Sequence, residues 1–244
     1  MDHGTTATIS CNGLPWCSHV QRGKSVVESL PDWLVSALSP PRLNRYITVA
    51  QGQSSTAVRL YWWNVEVCGA LYGSLHCLEL ALRNALHDQL CRKYGRSDWW
   101  EAAPLSLQTE RLVSKARKKC ERGGSAATPD GMVAELSFGF WVSLLSRGYD
   151  RRLWVPALNR AFPHLDQPRK SLYDGLSSLV LLRNRIMHHE PVHHRDLRAD
   201  HAKIYRMLGH ISPELAVEVK MMDRFPEVFA SRRETLEGTR PTRF

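Results

Sequence analysis

Apolar positions recur at three- and four-residue spacing over much of the chain, and this pattern predicts helices. The longest uninterrupted run spans residues 57–94, where six leucines form one stripe: Leu71, Leu75, Leu78, Leu82, Leu86 and Leu90. This spacing places all six on one face of a helix, as in a stripe that faces a core. The sequence has no convincing period-two alternation and no solenoid repeat. It therefore predicts an all-α fold.

Helix start and stop signals divide the rest of the chain into shorter helices. Prolines favour the first turn of a helix, whereas glycines and later prolines end it. The further helices are predicted at residues 42–50, 104–122, 130–145, 151–161 and 168–189, then past Pro191 to about Gly209, and from Pro213. The chain ends lack this periodicity, so we expect three parts: a flexible arm at 1–28, a helical domain at 29–231 and a basic flexible tail at 232–244.

Composition narrows the expected environment and partners. The 244 residues include 33 Lys and Arg against 24 Asp and Glu, and the net charge of +9 favours an anionic partner. No run of eighteen apolar residues occurs, and the N-terminus has no pattern of a signal peptide, so we expect a cytoplasmic protein without a membrane partner. The six cysteines include no C-x-x-C pair, which argues against a zinc knuckle or a disulfide framework.

Residues 183–194, RNRIMHHEPVHH, carry two overlapping catalytic patterns. Read from His189, the segment gives H-E-x-x-H, a zinc-protease pattern that needs both imidazoles one turn apart on a continuous helix. Pro191 interrupts that helix, because a proline in a helix interior costs about 3 kcal/mol. A zinc hydrolase is therefore the weakest of the functions considered. A turn that gathers the nearby histidines around a metal stays open: His188, His189, His193 and His194.

Read from Arg183, the same segment gives R-N-x-x-x-H, a pattern associated with RNA cleavage. At about 100° per residue, Arg183 projects from near the centre of an apolar helix face. The members of that face are Leu172, Leu176, Leu179, Val180, Ile186 and Met187. A desolvated, unmatched guanidinium is costly, so Arg183 must be paired, or must face a polar cleft or a subunit interface. A structural pairing with a core carboxylate such as Glu79 is one of these options.

The three residues of the pattern do not share one helix face. Asn184 and His188 lie four residues apart on one side, whereas Arg183 and His188 diverge by about 140°. Three arrangements would unite them and stay open: Arg183 reaches round, the last turn distorts, or a second subunit completes the site. A further polar stripe lies on the long helix, at His76, Glu79, Arg83 and His87. There Glu79 is spaced to pair with Arg83 one turn later.

Five blocks of the chain carry a resemblance to a known family. They are SPPRLNRYI at residues 39–47, LYWWN at 60–64, LHCLELALRNALHDQL at 75–90, ELSFGFWVSLLS at 135–146 and LRNRIMHHEP at 182–191. Together they resemble, in the family's order, the Abi-like (abortive infection) proteins of bacteria, which are members of the HEPN superfamily. The resemblance covers about residues 30–235. It implies a HEPN-type helical bundle with additional N- and C-terminal helices, paired into a homodimer that sets two R-x-x-x-x-H motifs face to face.

The resemblance also implies an activity and its residues. The family's catalytic Arg and His correspond to Arg183 and His188, and its polar residue after the Arg to Asn184. The implied function is metal-independent endoribonuclease activity without a cofactor, in a toxin or abortive-infection effector of phage defence. A histidine can exchange a proton with a ribose 2′-hydroxyl or a leaving 5′-oxygen, and an arginine can clamp the phosphate. The supporting residues are Glu79, Arg83, Asn84 and His189.

RNA is the expected partner, with an antitoxin or another defence-system component as a further candidate. A basic run near the end of the helix at 104–122 is the expected contact with the RNA backbone, through Lys115, Lys118 and Lys119. By default such a run is only a solvated helix end. The alternative function is that of a non-catalytic RNA-binding or regulatory HEPN protein, in which Arg183 and His188 hold RNA without cleaving it.

Overall fold

The computed structural model describes residues 30–122 and 127–244, and within these residues the chain forms helices and turns without a strand. The all-α prediction is confirmed for this part of the chain. The helices are α1 (Asp32–Leu38), α2 (Pro40–Val49), α3 (Ser54–Tyr94), α4 (Leu107–Arg122), α5 (Pro129–Glu135), α6 (Phe138–Ser143), α7 (Arg169–Met187), α8 (Leu197–Ile211), α9 (Pro213–Met221), α10 (Phe225–Ala230) and α11 (Arg232–Glu237). The arm predicted at 1–28 lies outside the described residues.

The 41-residue helix α3 is the central element, and α2, α6, α7, α8, α10 and α11 all contact it. All six leucines of the predicted stripe are at most 1% exposed. The helix ends where Gly95 adopts a left-handed φ of 67° and donates its N–H to the Cys91 carbonyl, a geometry that glycine adopts without strain. By length and composition α3 could also cross a membrane, a criterion that core helices of soluble proteins meet as well.

Residues 130–145 form two helices, so the prediction of one continuous helix is wrong. The chain turns extended at Leu136, and the Ser137 hydroxyl accepts a hydrogen bond from the Phe140 N–H over 3.3 Å, which caps the start of α6. The predicted apolar positions are nevertheless buried, at Met132, Leu136, Phe140 and Leu144. Periodicity therefore identified the buried face, and the cap determined where the helix breaks.

The prediction of one helix at residues 151–161 is also wrong. The structure has a π-helical turn at Asp150–Trp154 and a 3-10 turn at Leu158–Ala161. Pro156 lies between the two turns and has no N–H to donate, so a regular helix does not continue through it.

The turn between α7 and α8 is fastened to α3 by Asn64. As predicted, α7 ends before Pro191, and His189 then adopts a left-handed φ of 56°. The buried Asn64 Oδ1 accepts hydrogen bonds from the backbone N–H groups of Val192 at 2.8 Å and His193 at 3.2 Å. These bonds fix the residues that follow the R-x-x-x-x-H motif against the core helix.

The segment from Arg232 packs against the core, and the prediction of a flexible basic tail is wrong. Its first residues form α11, whose Thr235 is 2% exposed. Arg240 then donates to both carboxylate oxygens of Glu66, at 3.1 and 3.0 Å, and the Glu66 side chain is 1% exposed. A buried carboxylate requires a counter-charge, and the basic segment supplies it.

Candidate functional site

Glu79 holds Arg183 where α7 meets α3. The Arg183 Nε donates to one carboxylate oxygen over 3.1 Å and its Nη2 donates to the other over 3.4 Å. The pairing that the sequence left open is therefore present. The Arg183 side chain is nevertheless 30% exposed and that of Glu79 21% exposed. Because these bonds engage two of the five guanidinium N–H groups, three remain for a ligand at this surface.

Asn184 and His188 are both exposed at the C-terminal end of α7. His188 is the residue that caps the helix, and its backbone N–H donates to the Asn184 carbonyl over 2.9 Å. The two side chains thus lie one helical turn apart, whereas Arg183 is turned towards α3. Within one chain Arg183 is thus held by Glu79, and among the described residues no side-chain hydrogen bond joins it to Asn184 or His188.

The polar stripe of α3 contributes Glu79 to this site through the pairing with Arg183 that the sequence left open. Glu79 pairs across to α7, and the expected pair with Arg83 is not among the ion pairs of residues 30–122 and 127–244. Arg83 Nε donates instead to the Oδ1 of its neighbour Asn84 over 3.3 Å. Arg83 and Asn84 are therefore close to the pair in sequence but make no hydrogen bond to it.

The H-E-x-x-H pattern does not form a metal site in the described residues. His189 and His193 lie beyond α7 on either side of Pro191, not on one helix. The His193 ring packs 5.2 Å from that of Tyr46, and burial, followed by the charges of His194 and Arg232, lowers the pKa of His193 to about 4. Within residues 30–122 and 127–244, no three His, Cys, Asp or Glu side chains are grouped to hold a metal ion.

His189 lines a cavity beside the motif. The cavity has a volume of about 410 Å³ and lies between α2, the first half of α3 and the end of α7. Arg42 of α2 donates to the His189 carbonyl, which holds this edge of the cavity in place. Neither Arg183 nor His188 lines the cavity.

The lysines predicted to contact the RNA backbone lie on α4, and they differ in whether they form an ion pair. Lys115 and Lys118 are exposed, and neither forms an ion pair within the part of the chain that the structure describes. Lys119 is exposed as well, but it forms an ion pair with Glu135 over 2.6 Å. Lys115 and Lys118 are three residues apart and therefore share one exposed face of the helix.

Sequence reasoning missed the two residues that organise this region, Asn64 and Arg42. Both fall in blocks that carry the family resemblance, yet neither received a role. A signal for Asn64 was present, because a polar amide among apolar helix positions must find hydrogen-bond partners when it is buried. No such signal marked Arg42, whose contact depends on the left-handed turn at His189.

Comparison of the chain with protein-family models, with curated proteins and with solved structures finds no match. The likeness to the Abi-like proteins therefore rests on the five sequence blocks.

Proposed function

We propose that this protein is a metal-independent endoribonuclease of the HEPN type, with Arg183 and His188 as its catalytic residues. The observation that carries the proposal is that Arg183 is paired with Glu79 and yet partly exposed. Glu79 fixes its orientation through two hydrogen bonds, while nearly a third of the side chain stays open to solvent. An oriented guanidinium with free N–H groups is suited to bind a phosphate and to stabilise the charge that develops during its transfer.

The reaction needs only proton transfer and charge stabilisation. A base removes the proton of the ribose 2′-hydroxyl, and the 2′-oxygen forms a bond to phosphorus. The bond from phosphorus to the 5′-oxygen breaks, and an acid protonates that oxygen. The products are a 2′,3′-cyclic phosphate and a 5′-hydroxyl. His188 is exposed and can serve as base or acid, because an imidazole exchanges protons near neutral pH. Asn184 is one turn away and can orient the imidazole or the phosphate.

A second copy of the chain completes the site in this proposal. One chain supplies one His188, whereas the reaction uses both a base and an acid. Leu181 is 62% exposed, and at positions 181, 184 and 188 the side chains lie on one face of α7. Met187 and Tyr72 are further exposed apolar side chains at this end of α7 and on α3, at 42% and 43%. A homodimer that buries this apolar face would bring two His188 side chains together.

The biological role proposed here comes from the resemblance alone. We propose that the nuclease acts in the cytoplasm as a toxin or abortive-infection effector of phage defence, with an antitoxin or another defence component as its regulator. Lys115 and Lys118 on α4 are the proposed contacts with the RNA backbone, and the net charge of +9 supports binding to a polyanion. Lys119 contributes less, because Glu135 already pairs with it.

A second candidate function is RNA binding without cleavage. The pairing of Arg183 with Glu79 favours it, since the same contact is also a structural ion pair between two helices. In this case Arg183 and His188 would hold RNA, and no cleavage product would form.

The experiment that separates the two incubates purified protein with total cellular RNA in EDTA. The wild type is compared with His188→Ala and with His164→Ala, a control that removes another exposed histidine, which precedes the start of α7. The proposal predicts cleavage by the wild type and by His164→Ala, and none by His188→Ala. RNA that is retained by the wild type but stays intact supports the second candidate.

A further inference from the structure

Four exposed arginines lie on three consecutive turns between α6 and α7. The turns are the 3-10 turn Arg147–Tyr149, the π-helical turn Asp150–Trp154 and the 3-10 turn Leu158–Ala161, and each contacts the next. We call the surface that they form the arginine face, after its exposed members Arg147, Arg151, Arg152 and Arg160. Within residues 30–122 and 127–244, none of these four forms an ion pair with a carboxylate.

The acidic residue of this stretch is paired with the following helix. Asp150 is the only carboxylate among residues 147–160, and its Oδ1 lies 2.8 Å from the Nε of Arg169 in the first turn of α7. Arg169 also donates to the Leu145 carbonyl, and its side chain is only 16% exposed. Asp150 is therefore compensated by Arg169, and the positive charge of the arginine face stays available to a partner.

Contacts with α3 and α4 fix the backbone beneath the arginine face. The Tyr149 hydroxyl accepts from the Ser106 N–H over 2.9 Å and donates to the Thr109 hydroxyl over 2.8 Å. At the end of α3, Lys93 donates to the Arg152 carbonyl over 2.6 Å. Leu153 is fully buried between the exposed positions. A surface that is already ordered loses less entropy when it binds, so this backbone favours association.

An exposed apolar side chain lies next to the arginines. Val155 follows the π-helical turn and is 60% exposed, and the half-buried Trp154 beside it packs against Phe162 with ring centroids 5.8 Å apart. Protein interfaces combine apolar side chains with arginine, whereas lysine is depleted in them. A phosphate backbone would gain nothing from the valine. The composition of the arginine face therefore favours a protein partner over a nucleic acid.

The arginine face is remote from the R-x-x-x-x-H motif. Arg169, which pairs with Asp150, and Arg183 lie fourteen residues apart on α7, which corresponds to about 21 Å at the helical rise. A protein that binds at the start of α7 can thus be held without contact with the residues at its end.

We propose that the arginine face docks an acidic segment of a partner protein, with carboxylates on the guanidinium groups and an apolar side chain on Val155. A guanidinium can bind a carboxylate through two parallel hydrogen bonds, and such charge-assisted bonds are stronger than neutral ones. Complementary charge also accelerates the encounter of two proteins. This docking is independent of the proposed nuclease activity.

The test measures the binding of short fluorescent peptides to the full chain by anisotropy. One probe has glutamates around two central leucines, and the second has glutamines in place of the glutamates. We expect saturable binding of the acidic probe, with an affinity that falls as salt is added, and no binding of the glutamine probe. An acidic probe that does not bind, or a glutamine probe that binds equally well, overturns the proposal.

Matched charge reversals locate the binding. Arg151→Glu combined with Arg152→Glu is expected to weaken the acidic probe at least ten-fold. Lys115→Glu combined with Lys118→Glu makes the same change in net charge on α4, and it is expected to change the affinity less than two-fold. Equal losses in the two double variants would show attraction to the net charge alone and would overturn the proposal.

Val155→Ser tests the apolar contact. It is expected to weaken the probe that contains leucines about three- to ten-fold, because a partly exposed valine loses its burial against the ligand. A probe of glutamates alone should bind this variant and the wild type equally well. If both probes weaken to the same extent, the valine does not contact the leucines and the proposed docking is wrong.

A short RNA strand serves as the competing class of ligand. If the arginine double variant loses more affinity for RNA than the lysine double variant does, the arginine face is a nucleic-acid surface and the proposal is wrong. Binding of the acidic peptide by a wild type that leaves RNA intact retains the docking and rejects the nuclease. Cleavage of RNA by a protein that does not bind the acidic peptide does the reverse.

Discussion

At the scale of single residues, Asn64 attaches the turn after α7 to the central helix α3. Its side-chain oxygen accepts hydrogen bonds from the backbone N–H groups of Val192 and His193, which lie in the turn between α7 and α8. The turn follows directly on the motif, so these two bonds, together with the contact of Arg42 with the His189 carbonyl, position the end of α7. The amide therefore links the stability of the core helix to the geometry of the candidate site.

Replacement of Asn64 by alanine is expected to lower the free energy of unfolding by about 3 kcal/mol. Each buried N–H left without a partner costs about 1–3 kcal/mol. Urea unfolding measures the change, and Asn44→Ala, which removes an exposed asparagine on α2, provides the control. A loss for Asn64→Ala as small as that for Asn44→Ala would contradict the role assigned to the two hydrogen bonds of Asn64.

His193 is expected to make the protein less stable in mild acid. Its pKa in the folded protein is about 4, lowered mainly by burial, against about 6.5 in an unfolded chain. The unfolded state therefore binds more protons between these values, so the free energy of unfolding decreases as pH falls from about 6.5 towards 4. His193→Phe keeps a ring against Tyr46 and removes the titrating group. Urea unfolding at pH 7 and pH 5 should show a smaller pH effect in this variant, and an equal effect would refute the assignment.

The residues of the site were partly predictable from sequence. The R-N-x-x-x-H pattern identified Arg183, and its place on an apolar helix face, where a guanidinium needs a partner, led to Glu79 as a candidate for that partner. The pair joins positions 104 residues apart, so its partial exposure depends on how α3 and α7 cross. That crossing, like the contact of Arg42 with the turn, follows from tertiary packing and not from local spacing.

At the scale of helices, periodicity identified the buried faces better than the boundaries. The long leucine stripe of α3 fixed both the extent and the orientation of that helix. Between residues 130 and 145 the same signal continued across a break, because the capping hydroxyl of Ser137 competes with the helix for the Phe140 N–H. A serine inside an apolar periodic run is thus compatible with a cap as well as with a continuous helix.

Ser137→Ala is expected to destabilise the protein by about 1 kcal/mol, because the first turn of α6 loses its side-chain acceptor. Ser137→Asp restores an acceptor at the same position and should retain most of the wild-type stability. Chemical denaturation of both variants measures the difference. If alanine is tolerated as well as aspartate, the hydroxyl does not determine the start of α6.

At the scale of the whole molecule, an ion pair connects the C-terminal segment to the central helix α3. Glu66 is buried in the central helix, and Arg240 reaches it from beyond α11. The basic composition of the last residues suggested mobility, because composition alone does not reveal that a buried carboxylate needs a partner. The all-α class was predictable from local patterns, whereas the packing of the C-terminal segment against α3 through Arg240 and Glu66 was not.

Assembly into a homodimer is the second expectation at this scale. Leu181→Asp places a charge on the exposed apolar face that the proposed dimer buries, and it is expected to convert dimers to monomers and to abolish RNA cleavage. Light scattering with size-exclusion chromatography measures the mass. Val217→Asp alters an equally exposed position on α9 and serves as the control. A monomeric wild type with full nuclease activity would rule out the dimer.

End-group analysis of cleaved RNA tests the central claim most directly. The wild type is incubated in EDTA with an RNA oligonucleotide, and with the same strand carrying a 2′-deoxyribose at the cleaved position. Attack by the 2′-oxygen, assisted by Arg183 and His188, predicts a 2′,3′-cyclic phosphate and a 5′-hydroxyl, with no cleavage of the substituted strand. A 5′-phosphate on the product, cleavage of the 2′-deoxy strand, or identical cleavage by His188→Ala would contradict the account.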